Sequence, residues 1–213
     1  YLKKLKFDLT VDQKNAIDEI ERDLSSKERM FRLIQGDVGS GKTIVSLIAA
    51  LDTIKSGYQV ALMVPTEILA KQHYNFSSKF FESDINVELI TGKTEYLQKK
   101  ILLKNLENNK INLVIGTHAL FQKKIKFNKL GLIIIDEQHK FGVNQRKELS
   151  DKGGDDCDVL VMSATPIPRT MMMTIYGDMD VTLIKEKPKN RKEIKTYSKL
   201  ESKVQEVINF AKN

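Results

Sequence analysis

The sequence predicts an α/β fold: a three-layer sandwich with a mainly parallel central sheet flanked by helices. Three observations carry this. Apolar runs of strand length alternate with amphipathic stretches of helix length, the pattern of repeated strand–helix–strand units. The strand runs are continuously apolar rather than alternating, so both faces of the sheet are covered. One strand–helix junction is a glycine-rich loop, "GDVGSGKT" at 36–43, of the kind that holds phosphate between a strand and a helix.

The elements follow in order. "MFRLIQ" (30–35) is the strand that feeds the glycine loop, and "TIVSLIAALDTIKSG" (43–57) has helical spacing and stops at Gly57. "QVALMV" (59–64) is the next strand, closed by Pro65, and "EILAKQHYNFSSKF" (67–80) is a helix. "NVELIT" (86–91) is a strand, "EYLQKKILLKNLENN" (95–109) a helix, and "INLVIG" (111–116), "LGLIII" (130–135) and "DVLVMS" (158–163) are strands. The methionine-rich "PRTMMMTIYGDMD" (168–180) reads as a helix buried against the sheet. The charged "KEKPKNRKE" (185–193) reads as a linker, followed by a strand in "IKTYS" and a helix in "ESKVQEVINFAK". This divides the chain into a nucleotide-binding domain at 1–185 and, at 186–213, a linker with the first elements of a second domain.

Composition narrows the class. With 213 residues, 41% hydrophobic and 30% charged, the chain can build a core and a solvated surface. The apolar run "LGLIIID" (130–136) is too short to cross a bilayer and no secretory signal is recognisable, so no membrane role is expected. The single Cys157 forms no internal disulfide, suits a reducing cytoplasm, and reads as a plain loop or core thiol. His73, His118 and His139 lack the spacing of metal ligands. A formal charge of +7 and a pI near 9.3 are compatible with a polyanionic partner, though scattered surface lysines account for them too.

In the loop, Gly36, Gly39 and Gly41 let the main chain curl so that successive N–H groups point inward, with Asp37 and Ser40 between them. The helix that begins near Lys42 adds the positive end of its dipole. Lys42 can reach the β- and γ-phosphates of a nucleoside triphosphate, and the Thr43 hydroxyl can bind Mg²⁺. Hydrolysis needs a second carboxylate on the metal and a group to orient water. "LIIIDEQH" (132–139) offers both: Asp136 at the end of an apolar strand for Mg²⁺, and Glu137 beside it for the water. Alone, such a pair would read as a solvated turn.

Further pieces then fall into a known order. "DEQH" resembles motif II of the superfamily 2 helicases. "FDLTVDQKNAIDEI" (7–20) resembles their Q-motif region, "PTEILAKQH" (65–73) motif Ia, "TGK" (91–93) and "GTHAL" (116–120) strand-binding motifs, and "SATPIPRT" (163–170) motif III. With "IIDEQHKFGVNQR" they resemble the RecG-type ATP-dependent DNA helicases over about residues 7–190. The transcription-repair coupling translocases share the Phe-Gly-Val and Pro-Ile-Pro-Arg-Thr signatures and are the alternative. They tend to carry Phe in place of Ser40 and Glu in place of Gln138. A P-loop ATPase that does not act on DNA is a further alternative, against which the Q-motif, "TGK" and "SATPIPRT" weigh.

The resemblance implies a RecA-like fold with ATP and Mg²⁺ as cofactors. It implies action on branched, single- or double-stranded DNA (forks and Holliday junctions) in recombination and repair, by a cytoplasmic bacterial monomer. It also implies a second RecA-like domain with arginine fingers and a wedge domain, neither within these residues, so the fragment alone is expected to be nearly inactive. Gln13 would recognise adenine with Phe7 packed near it; the competing reading of Gln13 is an exposed helix glutamine. His139 and Gln138 would sense the γ-phosphate and relay its loss toward Ser163 and Thr165, with Arg169 in a coupling role; His139 reads equally as a packed or surface histidine. Thr66, Glu67, Gln72, His73, Thr91, Gly92, Lys93, Thr117 and His118 would line the DNA edge, contacting phosphate without reading sequence. Singly, a Thr or Gly after a strand merely starts a helix.

Overall fold

The continuously apolar runs become strands of one sheet. The computed structural model describes residues 8–81, 85–122, 124–136, 157–165, 179–187 and 198–212. The elements are α1 (Val11–Leu24), β1 (Phe31–Gly36), α2 (Lys42–Lys55), β2 (Gln59–Met63), α3 (Glu67–Phe81), β3 (Val87–Ile90) and α4 (Tyr96–Glu107). They continue with β4 (Leu113–Gly116), a 3₁₀ turn (His118–Phe121), β5 (Leu130–Asp136), β6 (Asp158–Ser163) and β7 (Asp180–Ile184). A second 3₁₀ turn (Glu201–Lys203) leads into a helix, α5 (Val204–Lys212), exposed over residues 204–210.

The strands form a seven-stranded sheet in the order β3-β4-β2-β5-β6-β1-β7, each described pair parallel. Side chains alternate between its faces. Ile34, Leu62, Leu132, Ile134, Leu160 and Met162 pack with Ile17, Val45, Leu47, Ala70 and Phe81 of the layer formed by α1, α2 and α3. Leu33, Ala61, Met63, Ile133, Ile135 and Val161 pack on the other face with Leu102 and Leu106 of α4. This two-sided burial is why β2 and β5 read as unbroken apolar runs. Each such aliphatic side chain contributes about 1.5–3 kcal/mol when fully buried.

The strand β7 was not anticipated from sequence. It pairs with β1 at the sheet edge and its residues alternate in exposure, so it lacks the apolar continuity that marks the inner strands. Of the stretch 168–180 read as a buried helix, only the last two residues are described, and Asp180 opens β7. In the expected strand 194–198, residues 194–197 lie outside the described residues.

Polar groups fix α1 to this edge. Arg32 of β1, itself buried, donates to Asp23 Oδ2 at 2.6 Å, Glu19 Oε2 at 2.9 Å and Thr182 Oγ1 at 2.8 Å, joining α1, β1 and β7. Glu19 also accepts a short hydrogen bond from Thr182. After β7 the chain exchanges hydrogen bonds with the start of α1. Asp12 Oδ2 accepts the Lys185 and Glu186 N–H groups at 2.8 and 2.9 Å, while Glu186 Oε2 accepts the Val11 N–H at 2.9 Å.

Candidate nucleotide-binding site and sheet edge

The glycine loop leaves β1 at Gly36. A Cβ there would stand 2.6 Å from the Ile184 carbonyl oxygen and 2.7 Å from Ser40 Oγ, so the close approach of β7 and the returning loop requires glycine. Ser40 N–H donates to the Asp37 carbonyl at 3.1 Å, and Gly39 and Gly41 turn the chain with φ of 78° and 91°. Ile44 N–H then donates to the Gly41 carbonyl at 3.1 Å, opening α2 with the positive end of its dipole at the loop. Lys42 Nζ reaches back across the loop to the carbonyls of Gly36 at 2.6 Å and Asp37 at 2.9 Å. Thr43 follows at the second position of α2, partly exposed. Lys187 Nζ sits 3.0 Å from Asp37 Oδ2, so the segment after β7 touches both α1 and the loop.

Gln13 is not an exposed helix residue: it is 2% exposed. Its Oε1 accepts the Thr10 N–H at 3.0 Å while the Thr10 hydroxyl accepts the Gln13 N–H, a reciprocal cap on α1. Its Nε2 donates to the Ser40 carbonyl at 2.7 Å, and the amide fills the space where a side chain at Gly41 would lie. Gln13 therefore braces the phosphate loop; Nε2 retains one hydrogen and Oε1 one lone pair for a further partner. Phe7, expected beside it, lies outside the described residues.

The register places Asp136 on the same edge. Asp136 is level with Met162 of β6, and Met162 is level with Ile34 of β1. Two strand spacings, roughly 10 Å, separate β5 from β1, and the loop begins two residues beyond Ile34. Asp136 shares the parity of Leu132 and Ile134, so it points into the helix layer that contains α2. A threonine hydroxyl and a carboxylate at one strand–helix edge are the hard oxygen donors that suit Mg²⁺, which keeps waters and phosphate oxygens as its remaining ligands. Ser163 closes β6 between them and is buried, its Oγ 3.1 Å from Thr165 Oγ1. Glu137, Gln138, His139 and Arg169 lie outside the described residues.

The same edge continues past β5 to β2, β4 and β3. The loops that follow these strands carry the residues expected at nucleic acid. Thr66 is exposed and its hydroxyl accepts the Leu69 N–H at 3.3 Å, capping α3. Thr91 is buried; its hydroxyl accepts the Lys93 N–H at 3.2 Å and shapes a turn that leaves Gly92 and Lys93 exposed. Glu67 Oε2 stands 3.1 Å from Lys93 Nζ and ties the second loop to the first. Thr117 is buried before the 3₁₀ turn, while His118 and Gln72 are exposed.

One expectation is corrected. His73 was grouped with the DNA-facing residues, but it is 8% exposed and turned inward, its Nε2 2.9 Å from Asp136 Oδ2. At the end of the second turn of α3, His73 lies on that helix's buried side with Ala70 and Ser77, so it cannot share the surface of Gln72. Sequence reasoning also missed Arg32, Asp12 and Glu186. Thr10 followed three residues later by Gln13 was a readable capping signal, whereas nothing local marks the partners of the other three.

Residues 10–174 match the family described as "DEAD/DEAH box helicase". The chain is 53% identical to the ATP-dependent DNA helicase RecG of Aquifex aeolicus over 97% of its length, and 52% identical to that of Bacillus subtilis over 92%. It spans only about a quarter of those relatives: 26% of the first and 29% of the second. Among solved structures, RecG bound to a three-way DNA junction superposes with a TM-score of 0.86 at 46% identity, covering 98% of this chain and 28% of that one. The DEAD-box helicase Mss116 bound to single-stranded RNA superposes at 0.65 with 20% identity, over 86% of this chain and 41% of that one, a likeness of fold alone. The parallel sheet is thus a RecA-like domain, and the chain belongs to the DEAD/DEAH box helicase family.

Proposed function

We propose that this chain is the ATP-binding motor domain of a RecG-type helicase, which couples ATP hydrolysis to the remodelling of branched DNA. The observation that supports it most is the division of one sheet edge. The phosphate loop and Asp136 stand on the half formed by β1, β6 and β5, and exposed Thr66, Gly92 and Lys93 stand on the half formed by β2, β4 and β3. Similarity to RecG over 97% of the chain points the same way.

In this reading the loop amides, Lys42 and the start of α2 hold the β- and γ-phosphates of ATP, and Thr43 and Asp136 hold Mg²⁺. Bound there, the metal neutralises charge on the transferring phosphoryl group. Glu137 orients the attacking water, and Gln13, already fixed to Ser40, reads adenine with its remaining donor and acceptor. Gln138, His139, Ser163, Thr165 and Arg169 carry the state of the γ-phosphate toward DNA and toward a second motor domain. On the DNA half, main-chain N–H groups and Lys93 meet phosphate oxygens, so binding tolerates sequence and weakens with salt. We infer a cytoplasmic, monomeric protein with residues 1–185 as the domain; among the described residues no helix is long and apolar enough to cross a membrane.

The test is ATP turnover by the protein at its natural length, with and without branched DNA. Turnover is expected to rise with DNA, to vanish in Lys42→Ala, and to vanish in Glu137→Gln with nucleotide binding retained. Equal turnover with and without DNA would sink the helicase reading.

A further inference from the structure

His73 stands where the two halves of the edge meet. It is carried by α3, which Thr66 caps and Glu67 opens at the nucleic-acid half, and it reaches the carboxylate of Asp136 at the end of β5 on the nucleotide half. The strands β2 and β5 are neighbours in register, Met63 beside Ile135, so α3 rises from the strand next to the one that carries Asp136. The contact is 2.9 Å and partly buried, with the Asp136 side chain 16% exposed. It links residues 63 positions apart. Through Glu67 and Lys93 the same helix is tied to the loop after β3.

We propose that His73 is a positioning residue of the metal site. Nε2–H donates to Oδ2 of Asp136 and fixes the rotation of the carboxylate that the proposed function assigns to Mg²⁺. A histidine that orients a metal carboxylate in this way acts without touching metal or nucleotide, and loss of such a partner typically weakens metal binding or activity about 10–100-fold. The inference rests on the assignment of Asp136 as a metal ligand in the proposed function.

The experiment uses the protein at its natural length. Affinity for a fluorescent ATP analogue is measured with Mg²⁺ and with EDTA, alongside DNA affinity without nucleotide and the Mg²⁺ concentration that gives half-maximal DNA-stimulated turnover. His73→Ala is expected to leave EDTA binding and DNA affinity near wild type, to abolish most of the gain in nucleotide affinity given by Mg²⁺, and to raise the half-maximal Mg²⁺ about tenfold or more. His73→Gln, which places an amide donor where Nε2 lies, restores part of that gain. His73→Leu fills the buried space without a donor and carries the same expectation if the alanine variant does not fold.

An unchanged Mg²⁺ dependence in the donorless variants overturns the proposal. So does a loss of DNA affinity with Mg²⁺ dependence intact, which would return His73 to the strand-contacting set. If wild-type turnover ignores DNA, the helicase reading fails, yet the comparison of Mg²⁺ with EDTA still decides the role of His73.

Discussion

At the scale of single residues, burial decides what a side chain can do. Cys157 is fully buried at the start of β6, and desolvation of its thiolate pushes the thiol up to about 12. A neutral, enclosed thiol is neither nucleophile nor ligand. Alkylation by iodoacetamide at pH 8 is therefore expected to be slow in the folded protein and to become rapid in denaturant; fast labelling of the native chain would show that the site opens. Gln13 is the converse. Its sequence position fitted either an exposed residue or an adenine contact, and only the fold shows its amide held between a helix cap and the phosphate loop. His73 was readable as a histidine in a recognisable stretch, but its partner lies 63 residues away, beyond any periodicity or local motif.

At the scale of elements, the informative case is the clasp between α1 and the segment after β7. The Asp12 carboxylate is held below its ordinary value, chiefly by the Glu186 N–H and then by the Lys185 N–H. A carboxyl group whose folded value is lowered stabilises the fold at pH above its unfolded value, here 3.8, and that contribution disappears as pH falls through the lower folded value. The amide resonances of Lys185 and Glu186 are therefore expected to titrate together below pH 3.8 and to lose that step in Asp12→Asn. Titration near the ordinary value would mean that the clasp does not form in solution. Inner strands such as β2 and β5 were legible because burial on both faces leaves them polar only at an end, Gln59 in β2 and Asp136 in β5. β7 was not, because an edge strand shares its face with solvent and needs fewer apolar residues.

At the scale of the whole molecule, β7 forms one edge of the sheet and its clasp ties that edge to α1. A chain stopping after residue 187 keeps β7, the Arg32 network and the contact of Lys187 with Asp37. A chain stopping at residue 178 removes β7 and the Lys187 contact, takes Thr182 from the Arg32 network while leaving Asp23 and Glu19 in it, and leaves β1 as an open edge. The first is expected to unfold cooperatively with a melting temperature close to that of the full chain, since the described part of α5 is exposed. The second is expected to aggregate or to melt at a lower temperature, because β1 loses its ladder partner and a neutral hydroxyl acceptor of Arg32 goes with it. Equal melting of the two would show that the edge strand is dispensable. The fold class followed from alternation and apolar runs alone, and the loop and acidic strand end followed from their motifs. How the distant strands lie side by side did not, because register is set by packing across the sheet rather than along the chain.

That arrangement has a consequence for synthesis. The strand feeding the phosphate loop finds its neighbours in segments encoded far downstream; Met30 already bonds to Asp158, 128 residues later. At ribosomal speeds of roughly 5–20 residues per second, the nascent loop waits on the order of ten seconds before both flanking strands have emerged. Over that interval β1 carries an apolar, unpaired surface, and the newly made polypeptide is then most in need of a chaperone.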